Sequence, residues 1–259
     1  MTDRFRWAIV RPPGDSFRLA VSMHSERRLI DPRQARDQHD TFRKILAAMG
    51  LELIVLPADE RHPDACFTQD PAVVLEGRAL IGRPGIESRR GEVESMMEAL
   101  ASLVADIQAV TEPATLEGGD VLVLGSKLIV GRSRRTNDAG IEALRRFAKP
   151  LGYEVQVAQV PEGVLHLGTA VTVLSDNLVI GRDDVLRQQA FRELDQIPVT
   201  DDPLEACNVL AIGTQIISSG RYGVNREVER RGFTVHELDL SEFVRADGGP
   251  TCLALLGTS

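Results

Sequence analysis

Three cysteines and five histidines set the chemistry open to this chain. A thiolate is the strongest nucleophile a protein holds without a cofactor, and imidazole exchanges protons near neutral pH. Cys252 follows Asp247-Gly248-Gly249-Pro250-Thr251, a glycine-rich turn of the kind that lets a ligand approach the backbone. Cys66, in Pro63-Asp64-Ala65-Cys66-Phe67, and Cys207, which opens the apolar run Cys207–Ile212, read as small packed residues. His166 interrupts Val164-Leu165-His166-Leu167-Gly168. His24, His39, His62 and His236 lie among charged or polar residues and are expected to face solvent.

Carboxylates complete the set. Glu117 lies in Thr115-Leu116-Glu117-Gly118-Gly119-Asp120, and Asp70 ends Phe67-Thr68-Gln69-Asp70. Each residue taken alone has an ordinary alternative: a packed thiol, a satisfied core histidine, or a solvated cap at a strand start. Together, Asp, Glu, His and Cys at the starts of successive units describe a polar pocket. Carboxylates there favour a cationic substrate, while Cys with His supplies covalent and acid–base catalysis.

The elements that must position these residues repeat along the chain. Paired strands end alike, in Leu80-Ile81-Gly82-Arg83, Ile129-Val130-Gly131-Arg132, Val179-Ile180-Gly181-Arg182 and, more loosely, Ser218-Ser219-Gly220-Arg221. Each is preceded by a first strand: Ala72–Leu75, Val121–Leu124, Ala170–Leu174 and Val209–Ile212. Turn residues such as Glu76-Gly77, Gly125-Ser126 and Gly213-Thr214 separate each pair, as hairpins require. Helical patterns follow, clearest over Glu92–Val104 and Asp138–Phe147. A fifth first strand, Thr251–Leu256, ends the chain, and a strand over Trp7–Arg11 followed by a helix over Pro32–Met49 opens it. The simplest reconciliation is one domain over residues 1–259, a closed ring of five ββαβ units in which the two termini share a blade.

Composition narrows the functions. With 30 Lys+Arg against 38 Asp+Glu and a net charge of −8, the chain has no general attraction for nucleic acid or anionic membranes. Its longest uncharged stretch, Ala206–Gly220, is interrupted by polar residues and falls short of the ~20 apolar residues that span a bilayer. The brief apolar run Trp7–Val10 is no secretory h-region, and three scattered cysteines are no disulfide framework, so a reduced, cytoplasmic location is expected. Metal-ligand spacings, Walker loops and GxGxxG are lacking in the sequence, so neither a metal nor another cofactor is expected.

In order and spacing, these segments resemble the guanidino-group-modifying enzymes of the pentein superfamily, most closely the dimethylargininases. The segments are 63–70, Arg83-Pro84-Gly85-Ile86-Glu87-Ser88-Arg89-Arg90-Gly91-Glu92, 116–120, Arg135-Thr136-Asn137, 165–167 and 247–252. The resemblance implies a five-bladed pseudosymmetric α/β-propeller. Cys252 would be the nucleophile, His166 the general acid/base and Glu117 the carboxylate partner. Asp64 and Asp70 would be substrate-side carboxylates, and Phe67 would line the pocket. Arg89 and Arg135 would hold a substrate α-carboxylate, the backbone of Asp247 would meet its amino end, and Pro13–Met23 would be a lid.

One position departs from the pattern. Dimethylargininases read Phe-Val-Glu-Asp and arginine deiminases Phe-Thr-Arg-Asp where this chain reads Phe67-Thr68-Gln69-Asp70. Gln69 keeps a hydrogen-bonding carbonyl in the substrate pocket and loses a charge. The implied activity is hydrolysis of methylated arginine through a thiouronium, without cofactor. Arginine deimination or dihydrolysis, another guanidine substrate, and a non-catalytic propeller remain the alternatives. The partner expected is a small guanidino amino acid, and a homodimer is left open.

Overall fold

The structure is a computed structural model and describes residues 5–258. Its strands begin with β1 (Trp7–Val10), β2 (Glu52–Val55), β3 (Ala72–Leu75), β4 (Arg78–Ile81), β5 (Asp106–Ala109), β6 (Val121–Leu124), β7 (Lys127–Arg132) and β8 (Glu154–Gln159). They continue as β9 (Val171–Ser175), β10 (Leu178–Arg182), β11 (Asp195–Val199), β12 (Val209–Ile212), β13 (Gln215–Ser218), β14 (Thr234–Glu237) and β15 (Leu255–Gly257). Four sheets run β3-β4-β5, β6-β7-β8, β9-β10-β11 and β12-β13-β14. A fifth, β15-β1-β2, joins the two ends of the chain and closes the five-bladed ring. In every blade the first pair is antiparallel and the second parallel.

Period-two alternation explains why a ring forms. Trp7 and Ile9 of β1 join one apolar cluster while Ala8 and Val10 join the next. Leu128 and Val130 of β7 face one way and Ile129 the other, and Val179 of β10 separates from Leu178 and Ile180 likewise. A strand buried on both faces reads as a continuous apolar run, and each face needs its own neighbour. Five clusters result, one between each pair of adjacent blades.

Local signals set the blade turns. Leu75 pairs with Arg78, leaving Glu76 and Gly77 as a two-residue loop with φ of 47° and 70°. Positive φ at both loop positions is the hairpin geometry that matches the right-handed strand twist. Helix α1 (Pro32–Ala48) starts where the Asp31 side chain accepts the Arg33 N–H at 2.8 Å, with Pro32 at the first helical position. The helix over Asp138–Ala148 is capped in the same way by Asn137, which accepts the Gly140 N–H at 2.8 Å.

Four expectations are corrected. Helix α2 (Glu92–Leu100) stops short of Val104, because the chain must reach β5 in register with β4. Ala170 ends a short helix over Leu167–Ala170, and its strand begins at Val171. The run Thr251–Leu256 is mostly a 3-10 turn over Pro250–Leu253, with the strand confined to Leu255–Gly257. His39 is fully buried, because residues 35, 39, 42 and 46 share the inward face of α1.

Candidate active site

Five polar side chains stand just ahead of the five first strands. Asp70 precedes β3, Glu117 precedes β6, His166 precedes β9, Asn208 precedes β12 and Cys252 precedes β15. First strands of neighbouring blades touch one another, β15 against β3, β6 against β9 and β9 against β12, so they surround the axis. Residues ahead of them meet at one end of it. Sequence reasoning found four of these positions and passed over Asn208.

The centre is a charge cluster sealed from solvent. His166 Nε2 lies 2.7 Å from Glu117 Oε2, and its Nδ1 is 3.9 Å from Asp70 Oδ1. Glu117 also accepts the Gly85 N–H at 2.9 Å and Arg135 Nη1 at 3.2 Å. Arg89 donates Nη1 to Asp70 at 2.7 Å and forks Nε and Nη2 onto Glu92 at 2.9 and 2.8 Å. Neither Glu92 nor Asp120 was singled out in the sequence, yet both are buried carboxylates of this site. Asp120 accepts the Leu167 N–H at 2.9 Å and so anchors the turn that carries His166.

These contacts fix protonation. Burial pulls the His166 imidazolium towards neutrality, but Asp70, Glu117 and Asp120 outweigh it and raise its pKa. Burial pushes Glu117 up, and His166, Arg89 and Arg135 outweigh that and hold it ionised. The Cys252 thiol is raised by burial and then by the charge of Asp70. The resting site thus pairs an imidazolium with a neutral thiol.

Glycines bring the backbones close, and the structure redefines their purpose. A Cβ on Gly119 would lie 2.6 Å from Asp70 Oδ1 and 3.0 Å from the His166 ring, so only glycine fits there. A Cβ on Gly249 would lie 2.6 Å from the Asn208 carboxamide carbon. Protein side chains, rather than a ligand, take the space that Gly249 leaves.

The expected lid is packed down. Phe17 is fully buried, with ring centroids 6.0 Å from Phe67 and 5.3 Å from Phe243. Val21 N–H donates to the Asp64 carboxylate at 3.1 Å and Met23 N–H to Asp247 Oδ2 at 2.6 Å. Glu60 accepts the Asp15 and Ser16 amides, each at 2.8 Å. Carboxylates at 64 and 247 therefore hold the segment closed in this state, and Arg89 has its donors committed to protein acids.

Comparison with known proteins decides the family. Residues 15–251 match the family described as "N,N dimethylarginine dimethylhydrolase, eukaryotic". The chain belongs to the dimethylarginine dimethylhydrolase family. Membership makes it a hydrolase acting on guanidino C–N bonds. A dimethylarginine dimethylaminohydrolase of Streptomyces coelicolor is 37% identical over 262 residues, covering 96% of this chain and 95% of that one. A Cys-to-Ser mutant of the Pseudomonas aeruginosa enzyme, solved with citrulline, superposes with a TM-score of 0.93 at 29% identity, covering 97% and 99% of the two chains. The N-terminal domain of a cyanobacterial arginine dihydrolase shares the fold at a TM-score of 0.88 and 19% identity, covering 97% and 98%.

Against that family background the ten expected residues form one connected set. Arg89 reaches the Asp64 carbonyl at 3.4 Å, Gln69 N–H donates to the Cys252 carbonyl at 3.2 Å, and Gly248, next to Asp247, packs on Phe67. Donor atoms of Asp70, Glu117 and His166 lie within 4.8 Å of one another. Two guanidinium groups already lie on these carboxylates, which is the cationic occupancy the cluster invites. Among the described residues no helix is long and apolar enough to cross a membrane.

Proposed function

We propose that this chain hydrolyses N-methylated arginine, releasing citrulline and a methylamine, with Cys252 as nucleophile. The observation that carries the reading is the 2.7 Å His166–Glu117 pair held at the blade ends together with Cys252. Two buried acceptors in the same cluster, Asp70 Oδ1 and Gln69 Oε1, have no hydrogen-bond partner among the described residues. Buried acceptors without donors are costly, and the N–H groups of a guanidinium would satisfy them.

The chemistry follows from those roles. A bound guanidinium beside Asp70 offsets the charge that raises the thiol, so substrate itself favours the thiolate. The thiol proton leaves to bulk water as the cation binds, His166 being already protonated. The Cys252 sulfur attacks the guanidinium carbon and a C–S bond forms. The C–N bond to the methylated nitrogen then breaks, and His166 delivers the proton that lets the amine depart. Water attacks the resulting thiouronium carbon as His166 takes its proton. As the C–S bond breaks, the proton of the added hydroxyl passes to the departing sulfur, which releases the ureido product and restores the thiol. Glu117 holds the His166 ring in place through these transfers and stabilises its imidazolium form before the first and after the second. Arg135 uses Nη1 on Glu117, leaving Nε and Nη2 to meet a substrate carboxylate.

Product analysis with asymmetric dimethylarginine and, separately, arginine tests the reading. Dimethylamine and citrulline from the first substrate alone are expected. Ammonia from arginine would overturn it in favour of deimination, or of dihydrolysis if ornithine appears, the activities that Gln69 keeps in view. Cys252→Ser should abolish turnover, and turnover near that of the parent protein would remove Cys252 from the reaction.

A further inference from the structure

We propose that Asn208 is a positioning residue for this reaction, presenting an N–H donor to the Cys252 sulfur and locking its turn against the turn that carries His166. The proposal rests on the nucleophile assignment above only for its catalytic consequence. Asn208 holds the fifth leading position of the ring, directly before β12, where the other blades carry Asp70, Glu117, His166 and Cys252. It is 3% exposed. Each of its hydrogen-bonding valences is used.

Its Oδ1 accepts the Thr251 N–H at 3.1 Å and the Thr251 hydroxyl at 3.0 Å. Nδ2 donates to the Gly168 carbonyl at 3.3 Å and approaches Cys252 Sγ at 3.6 Å. The amide orientation is set by its partners, since a backbone N–H only donates and a carbonyl only accepts. The NH₂ group must therefore face the sulfur. Thr251 precedes Cys252, and Gly168 lies two residues beyond His166, so one carboxamide spans both turns.

A neutral thiol gains little from such a donor, whereas a thiolate gains a charge-assisted hydrogen bond. Asp70 is the charged group that acts on the sulfur, and together with burial it opposes ionisation. Asn208 works in the opposite direction. Gly249 is required for the same contact, because any side chain there would strike the carboxamide.

Alkylation of Cys252 by iodoacetamide in the full-length protein, followed by mass spectrometry across pH, reads the thiolate whether or not Cys252 is the nucleophile. Asn208→Leu should move the alkylation inflection upward by about one to two pH units. It should lower kcat about 10- to 100-fold while changing KM less than about threefold. An inflection coincident with that of the parent protein, in an Asn208→Leu protein with an unchanged circular-dichroism spectrum, overturns the proposal and leaves only a turn clamp. If that variant does not fold, asparagine-¹⁵N-labelled parent protein decides. The Asn208 side-chain amide signal should titrate with the Cys252 midpoint and lose that titration in Cys252→Ser, and a signal flat with pH overturns the proposal. Turnover retained by Cys252→Ser would remove the nucleophile assignment without touching the alkylation shift.

Discussion

His39 and His166 are equally sealed from solvent, at 0% and 2% exposure, yet the fold keeps the first neutral and the second charged. His39 lies on the inner face of α1 against Phe42 and Phe243, with neither ring nitrogen hydrogen-bonded among the described residues. Burial, with Arg43 adding to it, lowers its pKa to about 3. His166 suffers the same desolvation, but Asp70, Glu117 and Asp120 raise its pKa to about 9. Burial sets only the cost of a charge, and the carboxylates within reach decide whether that cost is met. One histidine packs the core beneath the lid segment; the other stays ready to give up a proton.

The largest effect expected from breaking this contrast is on turnover. His166→Gly should lower kcat about a hundred- to ten-thousand-fold, as loss of a general acid/base does. Intact-mass spectrometry should then detect the covalent adduct that awaits water. Removing the partner rather than the histidine comes next. Glu117→Gln leaves Arg135 and the imidazolium without their shared anion, and should cost about 3–5 kcal/mol in denaturant unfolding at neutral pH. The His166 pKa should fall with it, moving the alkaline limb of the kcat profile to lower pH. A limb that stays in place would show that Glu117 does not hold the proton on His166.

The two histidines also put opposite slopes on stability. His39 has a folded pKa below its unfolded value near 6.5, so its contribution is full above that pH and is lost as pH falls towards about 3. His166 has a raised folded pKa, so its contribution is full below about 6.5 and is lost as pH rises through about 9. His39→Leu should therefore flatten the acid limb by about 1.4 kcal/mol per pH unit while leaving activity at neutral pH unchanged. Unfolding curves at several pH values measure this. The smallest effect concerns the substrate's charge: Gln69→Glu places a further carboxylate beside the guanidinium pocket and should lower KM several-fold, about 1 kcal/mol. An unchanged KM would mean that Gln69 does not face the guanidinium.

Much of this protein was written in local sequence. Apolar runs, two-residue turns such as Glu76-Gly77 and recurring Gly-Arg strand ends announced paired strands in repeating units, because hairpin geometry depends on neighbours in the chain. Repetition also placed Asp70, Glu117, His166 and Cys252 at matching ends of successive units, and the same spacing would have pointed to Asn208 ahead of β12. The helical interval from residue 35 to 39, 42 and 46 likewise carried the signal that His39 turns inward. Charge states were not legible there. Glu117 and His166 are 49 residues apart and Asn208 and Cys252 are 44 apart, and each pair meets only because neighbouring blades pack side by side around the axis. So too Arg89, with its donors on Asp70 and Glu92, and the lid amides on Asp64 and Asp247, took partners the sequence did not name. Sequence determined which groups stand at the blade ends, since strand and turn preferences act over a few residues. Tertiary structure alone decided which of them carry charge, because desolvation and Coulomb attraction depend on distances across blades.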